Sequence, residues 1–144
     1  MIRTPEIQFA SADAIAAFQE ERQRDEVAYL YENSPYYRRM FDGCGMQPGD
    51  IRTADDLRHL PATTTTPLHH HPAEFVCVPR NRIIDYVTTS GTLGDPVTFA
   101  LTEEDLARLA YNAAMSFTTA GCTGEDSLQL MTTIARRFMA GLAY

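Results

Sequence analysis

The sequence lacks the long apolar runs and the excess of basic residues that mark several classes of protein. No apolar run approaches the roughly 20 residues of a membrane-spanning helix. The first residues, MIRTPEIQFA, have neither the apolar core nor the cleavage site of a secretion signal. A formal net charge of −7 and a pI of about 4.9 argue against general binding to nucleic acid or to an anionic membrane, which needs a basic surface. A small anion held by backbone amides is compatible with this charge.

Cysteine and histidine give no sign of a disulfide framework or a metal centre. Cys44, Cys77 and Cys122 are odd in number, far apart and never in a CxxC spacing, which predicts reduced thiols and a cytoplasmic protein. The three consecutive histidines at 69–71 invite a metal site, but adjacent residues on a helix or strand do not point the same way. We therefore expect a polar loop there and no metal ligands.

Helix caps are the clearest local signals in a chain of ordinary globular composition, with 144 residues, 44% of them hydrophobic and 22% charged. Ser11 is placed to cap a helix over about 12–32, whose charged run EERQRDE forms a solvated face. Further caps are predicted for a helix that begins at Ser34-Pro35 and stops at Gly43 or Gly45, for a short helix after Thr53, and for a helix from Thr102 to about Ala120-Gly121. Between these elements, the segment at 60–79 is expected to be loop and turn, with room for one short helical turn.

Two stretches rich in β-branched and aromatic residues, Arg82–Thr88 and Pro96–Leu101, predict strands that could pair as a hairpin. A further strand is expected over Ser127–Ile134, followed by the apolar ending ARRFMAGLAY. Helices, strand, loop, strand, helix and strand together predict an α/β fold that is begun and not finished. We expect one partial domain over 1–144, with a mainly helical part at 1–80 and a strand–loop–strand–helix–strand unit at 81–144.

The segment between the two strands, Thr88–Pro96 or TTSGTLGDP, is called the glycine loop below. It fits neither the GxxxxGK[ST] nor the GxGxxG phosphate motif. Its glycines allow positive φ and let backbone N–H groups converge on an anion, and its hydroxyls can donate hydrogen bonds to phosphate oxygens. An ordinary hairpin turn uses the same residue types, so the residues alone leave both interpretations open.

The glycine loop resembles the (S/T)SG(T/S)TGxP phosphate loop of the adenylate-forming superfamily. YENSPYYRRMFDGCGMQPGDIRTADDLRHLPATTTTPL is similar to the N-terminal region of phenylacetate–CoA ligases, and EFVCVPRNRIIDYVTTSGT continues in register with that family. The resemblance runs from about Tyr31 to the C-terminus, with three motifs in the family's order. Leu93 stands where the family usually has a second threonine, and Asp95 stands where many members have lysine.

The resemblance implies an enzyme that uses MgATP to adenylate a carboxylic acid, phenylacetate or a similar acid, and then transfers the acyl group to coenzyme A. It implies an α/β fold, the N-terminal portion of the large domain of adenylate-forming enzymes, with a mixed sheet and flanking helices. The implied ATP-phosphate-binding residues are Thr89, Ser90, Gly91, Thr92 and Gly94. Phe138 and Gly141 resemble the approach to the acid pocket, although Phe138 fits a core position equally well.

The family's adenine, ribose, magnesium and catalytic-lysine motifs are absent from these 144 residues, and no catalytic residue is identified. The resemblance therefore implies an N-terminal fragment that does not catalyse the full reaction alone. Its expected partners are a carboxylic acid, ATP with Mg²⁺, and coenzyme A, with self-association through the unfinished edge of the domain. The alternative is a non-catalytic, truncated or repurposed association module.

Overall fold

The computed structural model describes residues 5–89, 95–127 and 129. The contacts within the chain divide it into two compact units, Ile2–Val78 and Pro79–Tyr144. This boundary lies close to the predicted division between 1–80 and 81–144. That the two parts form a single partial domain stays a prediction.

The first unit is built on two helices, α1 (Ala12–Asn33) and α2 (Pro35–Gly43). Both predicted caps are confirmed, because Ser11 Oγ accepts from the Ala14 amide at 3.3 Å and Ser34 Oγ accepts from the Tyr37 amide at 3.3 Å. The α2 helix ends at Gly43, and Gly45 follows at φ +66°, a conformation that favours glycine. One residue, Ser34, thus separates the two helices.

The core of this unit consists of Val27, Phe41 and Ile51, which are 5%, 1% and 0% exposed. Four partly buried side chains pack against that core: Tyr31, Met40, Met46 and Leu60. The apolar residues of α1 and α2 thus meet the short segment after them, which carries Ile51 into the core. Burial of these side chains supplies the main force that holds the unit together.

Short helices fill the rest of the unit. A 3₁₀ helix occupies Pro48–Asp50, and another occupies Ala54–His59 after Thr53, as its cap predicted. In the segment predicted as loop and turn with room for one short helical turn, the structure has two short helical elements, α3 (Thr65–His70) and a 3₁₀ turn at Pro72–Phe75. Proline suits the first position of the 3₁₀ turn, because it lacks the amide hydrogen that a helix start leaves unpaired.

The second unit begins with a 3₁₀ turn at Arg80–Arg82, followed by the strands β1 (Asp85–Thr88) and β2 (Thr98–Leu101). The strands pair antiparallel, with Asp85 opposite Leu101 and Thr88 opposite Thr98, so the predicted hairpin is confirmed. Both strands are shorter than predicted. The helix α4 spans Glu103–Thr119, and Gly121 follows at φ +92°, close to the predicted end. The strand predicted at Ser127–Ile134 lies almost entirely outside the described residues.

Candidate functional site

Buried side chains lie on both sides of the glycine loop. Val87 in β1 is fully buried at 0% exposure, and Val97, just before β2, is 6% exposed. A buried side chain therefore lies on each side of the glycine loop. A loop fixed at both ends by buried side chains loses less entropy when it orders around a ligand.

The pairing continues one step beyond the strands. The Thr89 amide donates to the Val97 carbonyl oxygen at 3.0 Å, and the Val97 amide donates to Thr89 Oγ1 at 3.0 Å. The base of the loop is therefore closed by two hydrogen bonds, one of which uses a side chain. Sequence reasoning singled out Thr89 but not Val97, whose part depends on the strand register.

The predicted phosphate-binding residues fall on both sides of the described boundary. Thr89 is described and exposed at the start of the loop, and Asp95 is described and exposed at its end. The remaining predicted residues of the loop and of the acid pocket lie outside the described residues: Ser90, Gly91, Thr92, Gly94, Phe138 and Gly141. Their phosphate- and substrate-binding roles stay predictions.

Immediately after β2, Thr102 begins α4 with a capping box. Asp105 Oδ2 accepts from the Thr102 amide at 2.9 Å and from Thr102 Oγ1 at 2.8 Å, and Thr102 Oγ1 accepts from the Asp105 amide at 3.3 Å. Partial burial would by itself raise the pKa of Asp105, but hydrogen bonds from Thr102 and Arg108 outweigh it and lower that pKa. Thr102 is buried, donates two hydrogen bonds to Asp105 and is the single residue between β2 and α4.

Charges around the start of α4 are paired on the surface. Arg82 contacts Glu104 at 2.6 Å and Arg108 contacts Asp105 at 2.5 Å. With Glu103, these acids also suit the positive end of the helix dipole. Exposed pairs of this kind contribute little to stability, so their main effect is to offset acidic charge in this region.

The SPYY segment, which carries part of the family resemblance, has a structural role in the first unit. Ser34 Oγ donates to the Glu74 carbonyl at 2.7 Å, and Arg39 forms an ion pair with the Glu74 carboxylate. The Tyr36 ring stacks on Phe75 with 4.1 Å between centroids, and the Tyr37 ring meets Phe75 edge-on at 5.8 Å. Sequence reasoning missed these partners, because Glu74 and Phe75 lie almost 40 residues further along the chain.

Histidines and cysteines among the described residues are candidates for two other chemistries, metal binding and thiol reactivity. Over this part of the chain, no group of three or more His, Cys, Asp or Glu side chains could hold a metal ion, and the histidines at 69–71 are exposed. All three cysteines are free. Burial, with a smaller contribution from the charge of Glu26, raises the pKa of the Cys77 thiol, which disfavours the reactive thiolate.

In the described ranges, no helix is long and apolar enough to cross a membrane.

The chain is similar in sequence to phenylacetate–coenzyme A ligases. No protein-family model matches it. It is 37% identical over 122 residues to the phenylacetate–coenzyme A ligase of Thermus thermophilus, covering 84% of this chain and 27% of that enzyme. It is 34% identical over 125 residues to the phenylacetate–coenzyme A ligase of Escherichia coli, covering 86% of this chain and 29% of that enzyme.

A solved structure gives the same result for the fold. An open conformation of 2-hydroxyisobutyryl-CoA ligase, in complex with 2-HIB-AMP and CoA, matches with a TM-score of 0.73 and 25% identity, covering 82% of this chain and 28% of that one. The predicted fold, an N-terminal portion of an adenylate-forming enzyme, is thereby confirmed. The chain spans less than a third of the length of each of these relatives.

Proposed function

We propose, from the premise that this chain corresponds to the N-terminal part of a phenylacetate–CoA ligase-like protein of the adenylate-forming superfamily, that it supplies the ATP-phosphate-binding loop of an acyl- or aryl-CoA ligase. The ligase would adenylate a carboxylic acid, phenylacetate or a similar acid, and then transfer the acyl group to coenzyme A. The observation that carries the proposal is the antiparallel hairpin, whose paired base holds the glycine loop.

The loop chemistry suits the β- and γ-phosphates, which leave as pyrophosphate. Glycine at 91 and 94 permits backbone N–H groups to converge on an anion, and the hydroxyls of Ser90 and Thr92 add side-chain donors. Donors held in place before the reaction stabilise the charge that develops on the leaving group. A base anchored by buried Val87 and Val97 supports such preorganisation.

Mg²⁺ would arrive with the nucleotide. In the described part of the chain no cluster of three ligands could hold the ion alone, whereas Mg²⁺ commonly combines one or two carboxylates with substrate phosphates. Asp95, exposed at the end of the loop, would repel a bare triphosphate. A magnesium ion on the phosphates offsets that repulsion, so the proposal requires MgATP rather than free ATP.

The direct test is binding of magnesium pyrophosphate to the 144-residue chain, followed by NMR of the backbone amides. We expect saturable shifts at Thr89 and Asp95, with smaller shifts when magnesium is omitted. Gly91→Ala should weaken binding at least tenfold, because it removes the freedom of a loop glycine. Gly124→Ala is the matched control, since a side chain there meets no atom within 4 Å. Equal affinities for the two variants would contradict the proposal.

A second test addresses the whole reaction. The corresponding segment of the Thermus thermophilus phenylacetate–coenzyme A ligase is replaced by this chain, and ATP–pyrophosphate exchange is measured with a panel of carboxylic acids. Acid-dependent exchange is expected. If the chimera folds but shows no ATP–pyrophosphate exchange with any acid of the panel, while the parent enzyme does, the proposed function is rejected.

The alternative, a non-catalytic association module, is favoured by one observation. Ile84, immediately before β1, and Tyr86 within β1 are 54% and 47% exposed. Such a module would form a defined oligomer in light scattering and would not bind MgATP. A monomer that binds MgATP would exclude it. For both functions we propose a cytoplasmic location.

A further inference from the structure

At the loop end of the hairpin, the hydrogen bonds differ from those of an ordinary antiparallel ladder in one acceptor atom. The register of the four strand pairs places Thr89 opposite Val97 as the next pair. In an antiparallel ladder, a hydrogen-bonded pair exchanges two backbone N–H···O=C bonds. Here the Thr89 amide donates to the Val97 carbonyl, but the Val97 amide donates to the Thr89 hydroxyl oxygen.

The hydroxyl of Thr89 therefore replaces the carbonyl of the same residue as the acceptor of the Val97 amide. A hydroxyl oxygen lies on the side chain and not in the main chain, so this bond satisfies the Val97 amide while releasing the Thr89 carbonyl from the ladder. Val97 is 6% exposed, which leaves its amide poorly placed to be satisfied by water. The hydroxyl thus ends the strand pairing without leaving a buried donor unpaired.

We infer that Thr89 is a positioning residue, whose hydroxyl sets the point at which the glycine loop leaves the sheet, rather than a direct ligand of phosphate. The inference deepens the proposed function and rests on it for the identity of the ligand. The part that concerns the free protein, the hydrogen bond from Val97, stands independently of any ligand.

The chemistry of the side chain makes the inference specific. Serine has the same hydroxyl and can accept the Val97 amide, whereas valine has the shape of threonine but no acceptor. Without the hydroxyl, the Val97 amide is left unpaired, or the Thr89 carbonyl turns back into the ladder. In the second case the Thr89 carbonyl rotates and the end of the strand pairing changes. Both outcomes change the environment of one amide, that of Val97.

The test compares the 144-residue chain with Thr89→Val, Thr89→Ala and Thr89→Ser by amide hydrogen exchange and NMR without ligand. Valine and alanine should each speed hydrogen exchange at the Val97 amide by about fivefold, the factor that an ordinary hydrogen bond contributes. If the Thr89 carbonyl replaces the hydroxyl as acceptor, the Val97 amide resonance should shift instead. Serine should leave both unchanged. Phe99, which is paired inside the ladder, is the internal control.

The same variants are then titrated with magnesium pyrophosphate. A positioning role predicts weaker binding for valine and alanine, and recovery for serine. If exchange and shift at Val97 match the original chain in the valine and alanine variants, the inference is wrong, and weaker binding would then mark Thr89 as a direct ligand. If the original chain does not bind pyrophosphate, the proposed function fails, and Val97 alone decides the role of the hydroxyl.

Discussion

Replacement of Ser34 by alanine should destabilise the first unit more than the loss of an ordinary helix cap. Ser34 is 1% exposed, and its hydroxyl makes two bonds, one from the Tyr37 amide and one to the Glu74 carbonyl. Loss of the cap costs about 1 kcal/mol. The carbonyl left without its partner adds about 1–2 kcal/mol. We therefore expect Ser34→Ala to lower the free energy of unfolding by about 2–3 kcal/mol.

Ser11→Ala is the matched control, because Ser11 caps α1 with the same atom at the same 3.3 Å but is exposed and lies in the same unit. It should cost about 0.5–1 kcal/mol. Urea unfolding followed by circular dichroism measures both, and a change in midpoint at constant slope identifies a change in stability. In thermal unfolding, about 3 °C per kcal/mol gives drops of roughly 6–9 °C for Ser34→Ala and roughly 1.5–3 °C for Ser11→Ala. Equal losses of unfolding free energy for the two variants would show that the hydrogen bond from Ser34 to the Glu74 carbonyl does not contribute.

Three further predictions concern the second unit and the thiols. Asp105→Asn should destabilise α4 by about 1 kcal/mol at pH 7. Because the folded pKa of Asp105 lies below 3.8, this difference should persist above that pH and fade as the pH falls through the lowered pKa; a pH-independent difference in urea midpoint would contradict it. Val87→Ala should cost about 2 kcal/mol because Val87 is fully buried, whereas exposed Thr98→Ala should cost less than about 0.5 kcal/mol. Iodoacetamide at pH 8 should alkylate exposed Cys44 well before Cys77, whose pKa is raised by burial; mass spectrometry that finds Cys77 modified first would disprove it.

The helix starts could be predicted because their signals are local. Ser11, Ser34 and Thr102 each accept from the amide three residues further along, so a short stretch of sequence contains both partners. Such signals fixed the beginning of α1, α2 and α4 correctly. The aromatic contacts of Tyr36 and Tyr37 with Phe75 could not be found in this way, because nothing in the sequence pairs those positions.

The strand lengths show a different limit. Ile83 and Ile84 favour extended structure by composition, which predicts a strand from Arg82. The observed β1 begins only at Asp85 because its partner ends at Leu101, where Thr102 starts α4. A strand extends only as far as it has a partner, and the partner's end was set by a helix cap.

The candidate site depends both on local sequence signals and on the pairing of separated segments. The residue types of the glycine loop and the hairpin around it followed from sequence and resemblance. The exchange of a hydroxyl for a carbonyl at Thr89 required the register, which depends on how two separated segments align.

The closed base of the hairpin also makes the glycine loop exchangeable. The strand pairing ends at Thr89 and Val97, so the side-chain alternation of β1 and β2 does not depend on the number of residues between them. Loops of other lengths could be grafted between these two positions without turning buried Val87 toward solvent. The hairpin is therefore a natural acceptor for anion-binding loops taken from unrelated proteins.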